Sequence, residues 1–292
     1  MAGKMASNDI NARLAANVLT AASAFKTTSF GQLIAQANKR PRSLPSSMDA
    51  AAKPSIAAFA VCKSGSATRC PKKANIIMDT TYFGRSFGVM VLMDSISQQA
   101  LSVDEVKYET NALYAAALNE LREKGVVIQS IVCDRRKGLL QMFPEIPAQL
   151  CQFHQVKTVS RYLTRNPKTG VGKALWRLTL TLKDSGKTAF QGALQAWFEQ
   201  HEGFLNERTV NEESGSSHYT HKTLRSAYLS LKRNLDYLFT FEAYPVLGMC
   251  NTTNLLDGRF ADLKRKLGCH HGMKRENKVK FIKDYFAMPD DG

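Results

Sequence analysis

The chain has 292 residues, of which 44% are hydrophobic and 22% charged, and this composition describes a soluble globular protein with one large core or two modest ones. No apolar run approaches the roughly 18 residues that a membrane-spanning helix needs, so we expect no membrane partner. The formal net charge of +15 favours a polyanionic partner such as nucleic acid, because Lys and Arg neutralise phosphates and release counterions. Simple solubility is the alternative explanation of this charge.

The cysteine content predicts a reducing compartment. An even number of cysteines, here six, suits a disulfide framework only in a small secreted domain. The chain shows no hydrophobic signal segment, so we expect free thiols and a cytoplasmic location.

Residues 1–73 differ in composition from the rest of the chain. Residues 8–37 carry a loose helical pattern, whereas residues 38–73 are rich in Ala, Ser, Pro, Lys and Arg and have no hydrophobic period. Such a composition is typical of a flexible basic linker. Cys62 and Cys70 in this segment do not have the spacing of a zinc finger. We therefore predict a basic, partly disordered N-terminal segment.

The pattern that follows predicts a mixed α/β sheet. Three neighbouring strands come first, then a helix, and then strands and helices alternate. The predicted strands are 74–82, 87–93, about 99–107, 126–133 and about 148–153. The predicted helices of this part are 110–124 and 137–143.

Residues 156–248 are predicted to form a large, all-helical insertion. Apolar residues repeat at helical spacing through most of the segment, and a polar stretch at 211–217 separates two of its helices. A last helix is predicted over about 253–267. The remaining chain is therefore divided into a first part of the core, 74–155, and a final part, 249–292, on either side of the insertion.

Three aspartates mark the positions where we expect chemistry. Asp79 and Asp134 each close an apolar run of a predicted strand, although Asp is a poor strand residue, and Asp257 lies on the last predicted helix. Carboxylates of this kind can hold Mg²⁺ against phosphate oxygens, and two such ions activate an attacking hydroxyl and stabilise the leaving oxygen. Taken singly, each aspartate is better explained as a turn or cap residue, which is our interpretation of Asp94.

The three acids lie, in chain order, on the first strand, on the fourth strand and on a helix after a large insertion. Ribonuclease-H-like proteins have their acids in this order. With these motifs, residues 74–286 resemble a bacterial insertion-sequence DDE transposase of the Mutator-related kind. The matching stretches are Met78-Asp79-Thr80-Thr81-Tyr82-Phe83, Cys133-Asp134, Cys151-Gln152-Phe153-His154, and Thr252-Thr253-Asn254-Leu255-Leu256-Asp257-Gly258 with Leu263-Lys264 and His271-Gly272 beyond it.

The resemblance implies a ribonuclease-H-like core in which Asp79, Asp134 and Asp257 are catalytic acids. It implies that they hold two Mg²⁺ or Mn²⁺ ions. It also implies that DNA, as element ends and as target, is the partner of a homo-oligomer at the nucleoid in a bacterial cytoplasm.

The chain departs from the family pattern in two places. Asp257 stands where these transposases usually carry Glu, so the helix would have to lie closer to the other acids. Residues 1–73 resemble neither a zinc ribbon nor a helix-turn-helix, which suggests a truncated, fused or frameshifted copy.

The motif of Cys151 and His154 allows three interpretations. Two ligands at this spacing are half of a structural zinc site, but no second tight pair completes it. A plain core thiol beside a satisfied histidine is a second interpretation. The resemblance favours a third, in which Cys151, His154 and Asn254 support the catalytic acids through hydrogen bonds.

Basic residues next to the acids are candidates for phosphate contacts, with a solvated charged surface as the alternative. They are Arg135, Arg136, Lys137, Lys264, Arg265 and Lys266. Trp176 and Trp197 could each stack on an unpaired base, although Trp197 sits among apolar residues and is better explained as core.

These observations favour a transposase that carries out Mg²⁺-dependent DNA cleavage and strand transfer. A catalytically impaired DNA-binding remnant of such an element is the first alternative. A ribonuclease-H-like nuclease that acts on branched or hybrid substrates is the second.

Overall fold

The computed structural model describes residues 71–134, 136–270 and 272–288. Predictions that fall on residues 1–70, on Arg135, on His271 or on the side chain of Lys137 lie outside the described part of the chain.

A five-stranded sheet forms the centre of this structure. Its strands are β1 (Lys73–Phe83), β2 (Phe87–Asp94), β3 (Ala100–Val106), β4 (Val127–Cys133) and β5 (Ala148–Leu150). They lie in the order β3-β2-β1-β4-β5, with β2 antiparallel to both of its neighbours and β4 parallel to β1 and β5. This is the ribonuclease-H-like arrangement, so the predicted fold class is confirmed.

Helices surround the sheet and form a separate layer beyond its β5 edge. They are α1 (Asn111–Glu123), α2 (Lys137–Leu140), α3 (Gln152–Leu163), α4 (Gly170–Leu180), α5 (Lys187–Asn206), α6 (Lys222–Leu238), α7 (Thr240–Ala243), α8 (Asn254–Gly268) and α9 (Arg275–Ala287). None of the helices in the described ranges is long and apolar enough to cross a bilayer.

The two faces of the sheet are covered by different helices. On one face, Ile77 of β1 and Val132 of β4 belong to the same apolar cluster as Leu256 and Phe260 of α8 and Ile282 of α9. Successive side chains of a strand point to opposite faces, so residues 80 and 77 of β1 lie on different sides. Consistent with this, the hydroxyl oxygen of Thr80 lies 2.9 Å from that of Tyr114 on α1, which covers the second face. Because β2 is covered on both faces, it is buried along its whole length.

Buried glutamines join the helical layer to the sheet. The amide nitrogens of Gln149 on β5 and Gln152 on α3 both donate to the carbonyl oxygen of Leu238, at 2.7 and 2.9 Å. The side-chain oxygen of Gln149 accepts from the backbone N–H of Phe241. These bonds satisfy the C-terminal end of α6, which would otherwise bury unpaired carbonyl groups.

The prediction of an all-helical insertion is wrong in one place. The polar stretch 211–217 lies in a β-hairpin formed by β6 (Arg208–Val210) and β7 (Ser217–Tyr219), with residues 211–216 as its turn. The Asn211 side chain accepts from two backbone N–H groups of the turn, and Gly215 supplies the positive φ that the turn requires. Three-residue strands are too short to display a period of two.

Several elements near the site also differ from the predicted ones. Gln152 and Phe153 belong to α3 and not to a strand, because the N–H of Cys151 makes the last bond to β4 and the helix begins directly after it. Helix α8 continues through Gly268, and α9 was not predicted. The turn role of Asp94 is confirmed, since its carboxylate accepts from the backbone N–H groups of Asn75 and Ser97.

Candidate active site

Two of the predicted acids lie at the same level on neighbouring parallel strands. Ile77 of β1 is paired in register with Val132 of β4. Asp79 and Asp134 each follow two residues later, so both extend the side of the sheet that faces α8. Asp79 therefore lies within β1, two residues beyond its last pairing with β4, and Asp134 directly follows β4.

Helix α8 brings the third acid to this edge. Asp257 lies in the first turn of α8, where the helix dipole favours a negative charge. Ligand atoms of Asp79, Asp257 and His154 all lie within 4.8 Å of one another, and each of these side chains is partly exposed. Asp134 does not belong to this close group, although its charge acts on Asp79.

Asp79 is the acid whose protonation is most affected by its surroundings. Burial raises the pKa of its carboxyl group to about 7, from an ordinary value of 3.8, and the nearby charge of Asp257 acts in the same direction. Glu109 and Asp134 add smaller contributions, whereas the N–H of Thr80, which donates to the carboxylate at 2.8 Å, opposes the rise in pKa. A carboxylate in such surroundings favours a bound cation, because a cation removes the repulsion.

The Thr253 hydroxyl connects the Cys151 motif with the acids. Thr253 is fully buried just before α8, and its backbone N–H donates to the sulfur of Cys151 at 3.3 Å. Its hydroxyl oxygen lies 3.4 Å from the same sulfur, 3.4 Å from Nδ1 of His154 and 3.5 Å from Oδ2 of Asp257. The Thr253 side chain thus joins the N-termini of α3 and α8, and the supporting role of Cys151 and His154 stays a prediction.

The zinc interpretation of the cysteines finds no support in the described residues. Cys133 and Cys151 are free and buried, and burial raises the pKa of their thiols to about 12 and about 11. The group of metal-ligating atoms around His154 contains carboxylates and no sulfur.

A second network ties the segment after Asp134 to α1. The three guanidinium nitrogens of Arg136 contact Glu109 and the side-chain oxygen of Asn111, and the group lies over the Tyr114 ring. The Tyr114 hydroxyl donates to Glu109 in turn. Arg136 thus ties the segment that carries Asp134 to α1, and its predicted DNA contact stays a prediction.

The basic residues of α8 separate into two groups. Arg265 and Lys266 both pair with Asp262, so part of their positive charge is neutralised within the helix. Lys264 lies close enough to Asp79 and Asp257 for their charges to act on it, although burial lowers the pKa of its ammonium group overall. Lys264 is thus an α8 cation that interacts electrostatically with both acids. Asn254 is exposed at the first residue of the helix.

The tryptophans are placed differently. Trp197 is buried, with its ring 5.7 Å from that of Tyr228, which confirms that it is core. Trp176 is partly buried on α4, and its predicted base contact stays a prediction.

Sequence reasoning missed Thr253 and Glu109. The pair Thr252-Thr253 before an apolar helix is a signal that could have identified Thr253, since Thr is common where helices begin. No local pattern distinguishes Glu109, because its partners come from other elements.

No family model matches the chain, and no curated protein matches it. Among solved structures, the chain is similar to the HTLV-2 integrase catalytic core domain in complex with magnesium, in trimeric and dimeric forms. Each of these two structures is 17% identical in sequence to this chain, with a TM-score of 0.23. The match covers 52% of this chain and 95% of the integrase domain. A simian T-cell lymphotropic virus intasome in complex with PP2A regulatory subunit B56 gamma has 15% identity, 52% and 55% coverage, and a TM-score of 0.22. Similarities of this size carry no conclusion about activity.

Proposed function

We propose that this chain is a metal-dependent polynucleotidyl transferase, specifically an insertion-sequence transposase that cleaves DNA and joins the cut end to a target. One observation carries the proposal. Asp79 within β1 and Asp134 directly after the parallel strand β4 extend the face covered by α8, and ligand atoms of Asp257 on α8, Asp79 and His154 lie within 4.8 Å of one another. Carboxylates and an imidazole, partly exposed at one edge of a basic protein, are a suitable donor set for a divalent cation beside a phosphate.

The residues of the chain would divide the work as follows. Asp79, Asp134 and Asp257 would hold the ions, Mg²⁺ or Mn²⁺, which activate the attacking hydroxyl and stabilise the leaving oxygen when bound. Asp79 must release its proton to serve as a ligand, and burial delays that release to about pH 7. Arg136 and Glu109 would keep the Asp134 segment against α1.

The DNA would approach along α8 and the exposed basic residues beside it. Lys264 is near the acids and is therefore the proposed contact to the phosphate next to the scissile bond. The predicted contacts of Arg135 and Lys137 belong to the same proposal. Pairing two element ends requires more than one copy of the chain, so a homo-oligomer is part of it.

Replacement of each acid by asparagine tests the proposal. The substrate is a supercoiled plasmid that carries the inverted repeats flanking this reading frame, and the measurement is nicking in Mn²⁺ or Mg²⁺. We expect Asp79→Asn, Asp134→Asn and Asp257→Asn to lose nicking while anisotropy of a labelled duplex changes less than about threefold, since removing one negative charge does not weaken phosphate contacts. Asp236→Asn, on the exposed surface of α6, is the matched control and should behave as wild type.

Full nicking by any acid variant would remove that residue from the site. Equal loss by Asp236→Asn would mean that the assay reports stability and not chemistry. Faster cleavage of an RNA–DNA hybrid than of the inverted repeats would favour the nuclease alternative.

A catalytically impaired remnant is the second candidate, because Asp257 has the shorter side chain and Asp134 lies outside the close group. Asp257→Glu separates the two candidates. An impaired copy should gain nicking when the side chain is lengthened by one methylene. In an active enzyme whose α8 has adjusted to aspartate, the longer side chain should displace the cation and reduce nicking.

A further inference from the structure

His154 lies at a distance from the acids that a shared cation can bridge. One ring nitrogen of His154 and one carboxylate oxygen each from Asp79 and Asp257 lie within 4.8 Å of one another. Donors at about 2.1 Å from an octahedral ion are separated by about 3 Å when adjacent and about 4 Å when opposite. Small side-chain rotations therefore bring all three atoms onto one ion.

The Thr253 hydroxyl orients the imidazole. It has one proton to donate, and the sulfur of Cys151 and Oδ2 of Asp257 are both placed to accept it. When the proton points to either of them, the hydroxyl oxygen can accept a hydrogen bond from Nδ1–H of His154, 3.4 Å away. An imidazole that donates through Nδ1 keeps its lone pair on Nε2, which is how histidine ligands of metals are held in place.

We propose that His154 is a metal ligand through this second nitrogen, with Thr253 as its positioning residue, so that the site prefers Mn²⁺ or Co²⁺ to Mg²⁺. The inference rests on the metal site of the proposed function and adds a selectivity to it. Mg²⁺ demands oxygen ligands and gives up its water reluctantly, whereas imidazole suits first-row transition metals. A site of carboxylates alone would lack this nitrogen-based preference.

The direct test uses the wild-type full chain and no variant. Mn²⁺ is added to protein freed of metal and labelled with ¹⁵N in histidine only, and nitrogen coupling to the ion is measured by pulsed electron paramagnetic resonance. A directly bonded histidine ¹⁵N supports the inference. Bound Mn²⁺ without such coupling overturns it.

Variants then test selectivity by titration with Mn²⁺ and Mg²⁺, each followed by calorimetry. We expect His154→Gln to weaken Mn²⁺ binding at least tenfold and Mg²⁺ binding less than about threefold. Thr253→Val should weaken Mn²⁺ binding about 10–100-fold, and Thr253→Ser should restore most of it because serine keeps the hydroxyl. The matched control is His218→Gln on the exposed hairpin, which should change neither affinity.

The outcomes separate this inference from the proposed function. If Asp79→Asn and Asp257→Asn abolish Mn²⁺ binding but His154→Gln leaves the ratio of Mn²⁺ to Mg²⁺ affinity unchanged, the inference fails and the carboxylate site stands. The opposite outcome is histidine coupling in the wild-type chain and a lower ratio of Mn²⁺ to Mg²⁺ affinity in His154→Gln, but no nicking of DNA by the wild-type chain. In that case the inference stands and the proposed activity fails. A Mn²⁺ affinity that is unchanged in Asp79→Asn, Asp257→Asn and His154→Gln overturns both the inference and the proposed metal site.

Discussion

Replacing Asp79 with asparagine should stabilise the metal-free protein at and above neutral pH while removing a ligand that the proposed activity requires. The pKa of Asp79 is about 7 in the folded protein and its ordinary value is 3.8, so the folded state binds one more proton than the unfolded state between these two pH values. Stability therefore falls as the pH rises through this interval. Above pH 7 the charged carboxylate imposes its full cost on the folded state.

The size of this cost follows from the pKa difference. The interval from 3.8 to about 7 corresponds to about 4 kcal/mol, at about 1.4 kcal/mol for each tenfold change in proton affinity. Asp79 is partly exposed, and water screening reduces the value, so we expect about 1–3 kcal/mol. Asparagine keeps the side-chain oxygen that accepts from the N–H of Thr80, so the substitution removes the charge and preserves that bond.

Urea unfolding in EDTA at pH 5 and pH 8 measures the effect. The gain in free energy of unfolding for Asp79→Asn over wild type should be larger at pH 8 than at pH 5. Asp236→Asn, whose side chain is 86% exposed, should show no such difference between the two pH values. A variant that is equally or less stable than wild type at pH 8 would refute the argument that Asp79 carries a buried, repelled charge.

Three other substitutions test parts of the structure around the site. Lys264→Gln should weaken the binding of a DNA duplex, measured by anisotropy, because one phosphate contact is lost. The slope of the logarithm of the binding constant against the logarithm of the salt concentration should become shallower by about 0.9, and an unchanged slope would show that Lys264 does not contact the DNA. Trp197→Phe should lower the free energy of unfolding in urea by less than about 1.5 kcal/mol, because Nε1 of Trp197 is buried without a hydrogen-bond partner in the described structure and its loss breaks no bond. Trp197→Ala should lower it by about 3–5 kcal/mol, and equal losses in the two variants would contradict this. Arg259→Met should lower the free energy of unfolding by about 2–4 kcal/mol and speed proteolysis of α9. The reason is that the Arg259 guanidinium donates to the backbone carbonyl oxygens of Gln98, Tyr285 and Met288. Unchanged proteolysis would show that α9 is held by its apolar contacts alone.

The parts of the fold that sequence patterns predicted are those with long, continuous apolar signals. β2 reads as a nearly unbroken hydrophobic run because both of its faces are buried, and α1 has a clear apolar stripe ended by Gly125. The hairpin β6–β7 has three residues in each strand, which is too few for a period to show. The apolar residues of α9 lie among many lysines, so its burial depends on α8 and the sheet, which a local pattern does not contain.

The candidate site shows the same division. A carboxylate at the end of an apolar run is visible in the sequence, and this signal marks both Asp79, which lies within β1, and Asp134, which follows β4. The proximity of His154 to Asp257 was not predictable, because it depends on the N-termini of α3 and α8 meeting through Thr253. The ion pair of Arg136 with Glu109 was not predictable either, because Glu109 comes from a different part of the chain.

The dispersal of the site along the chain has a consequence for the order of folding. More than half of the sequence separates Asp79 from Asp257. The strands β1 and β4 are neighbours in the sheet, although β2, β3 and α1 lie between them in the sequence. A growing polypeptide can form the three-stranded unit of β1–β3 early, since those contacts are local. The third acid joins only after the whole helical layer has been synthesised and α8 has packed. A chain that ends before α8 therefore lacks one of the three proposed ligands, and under the proposed function the site is complete only when folding is nearly finished.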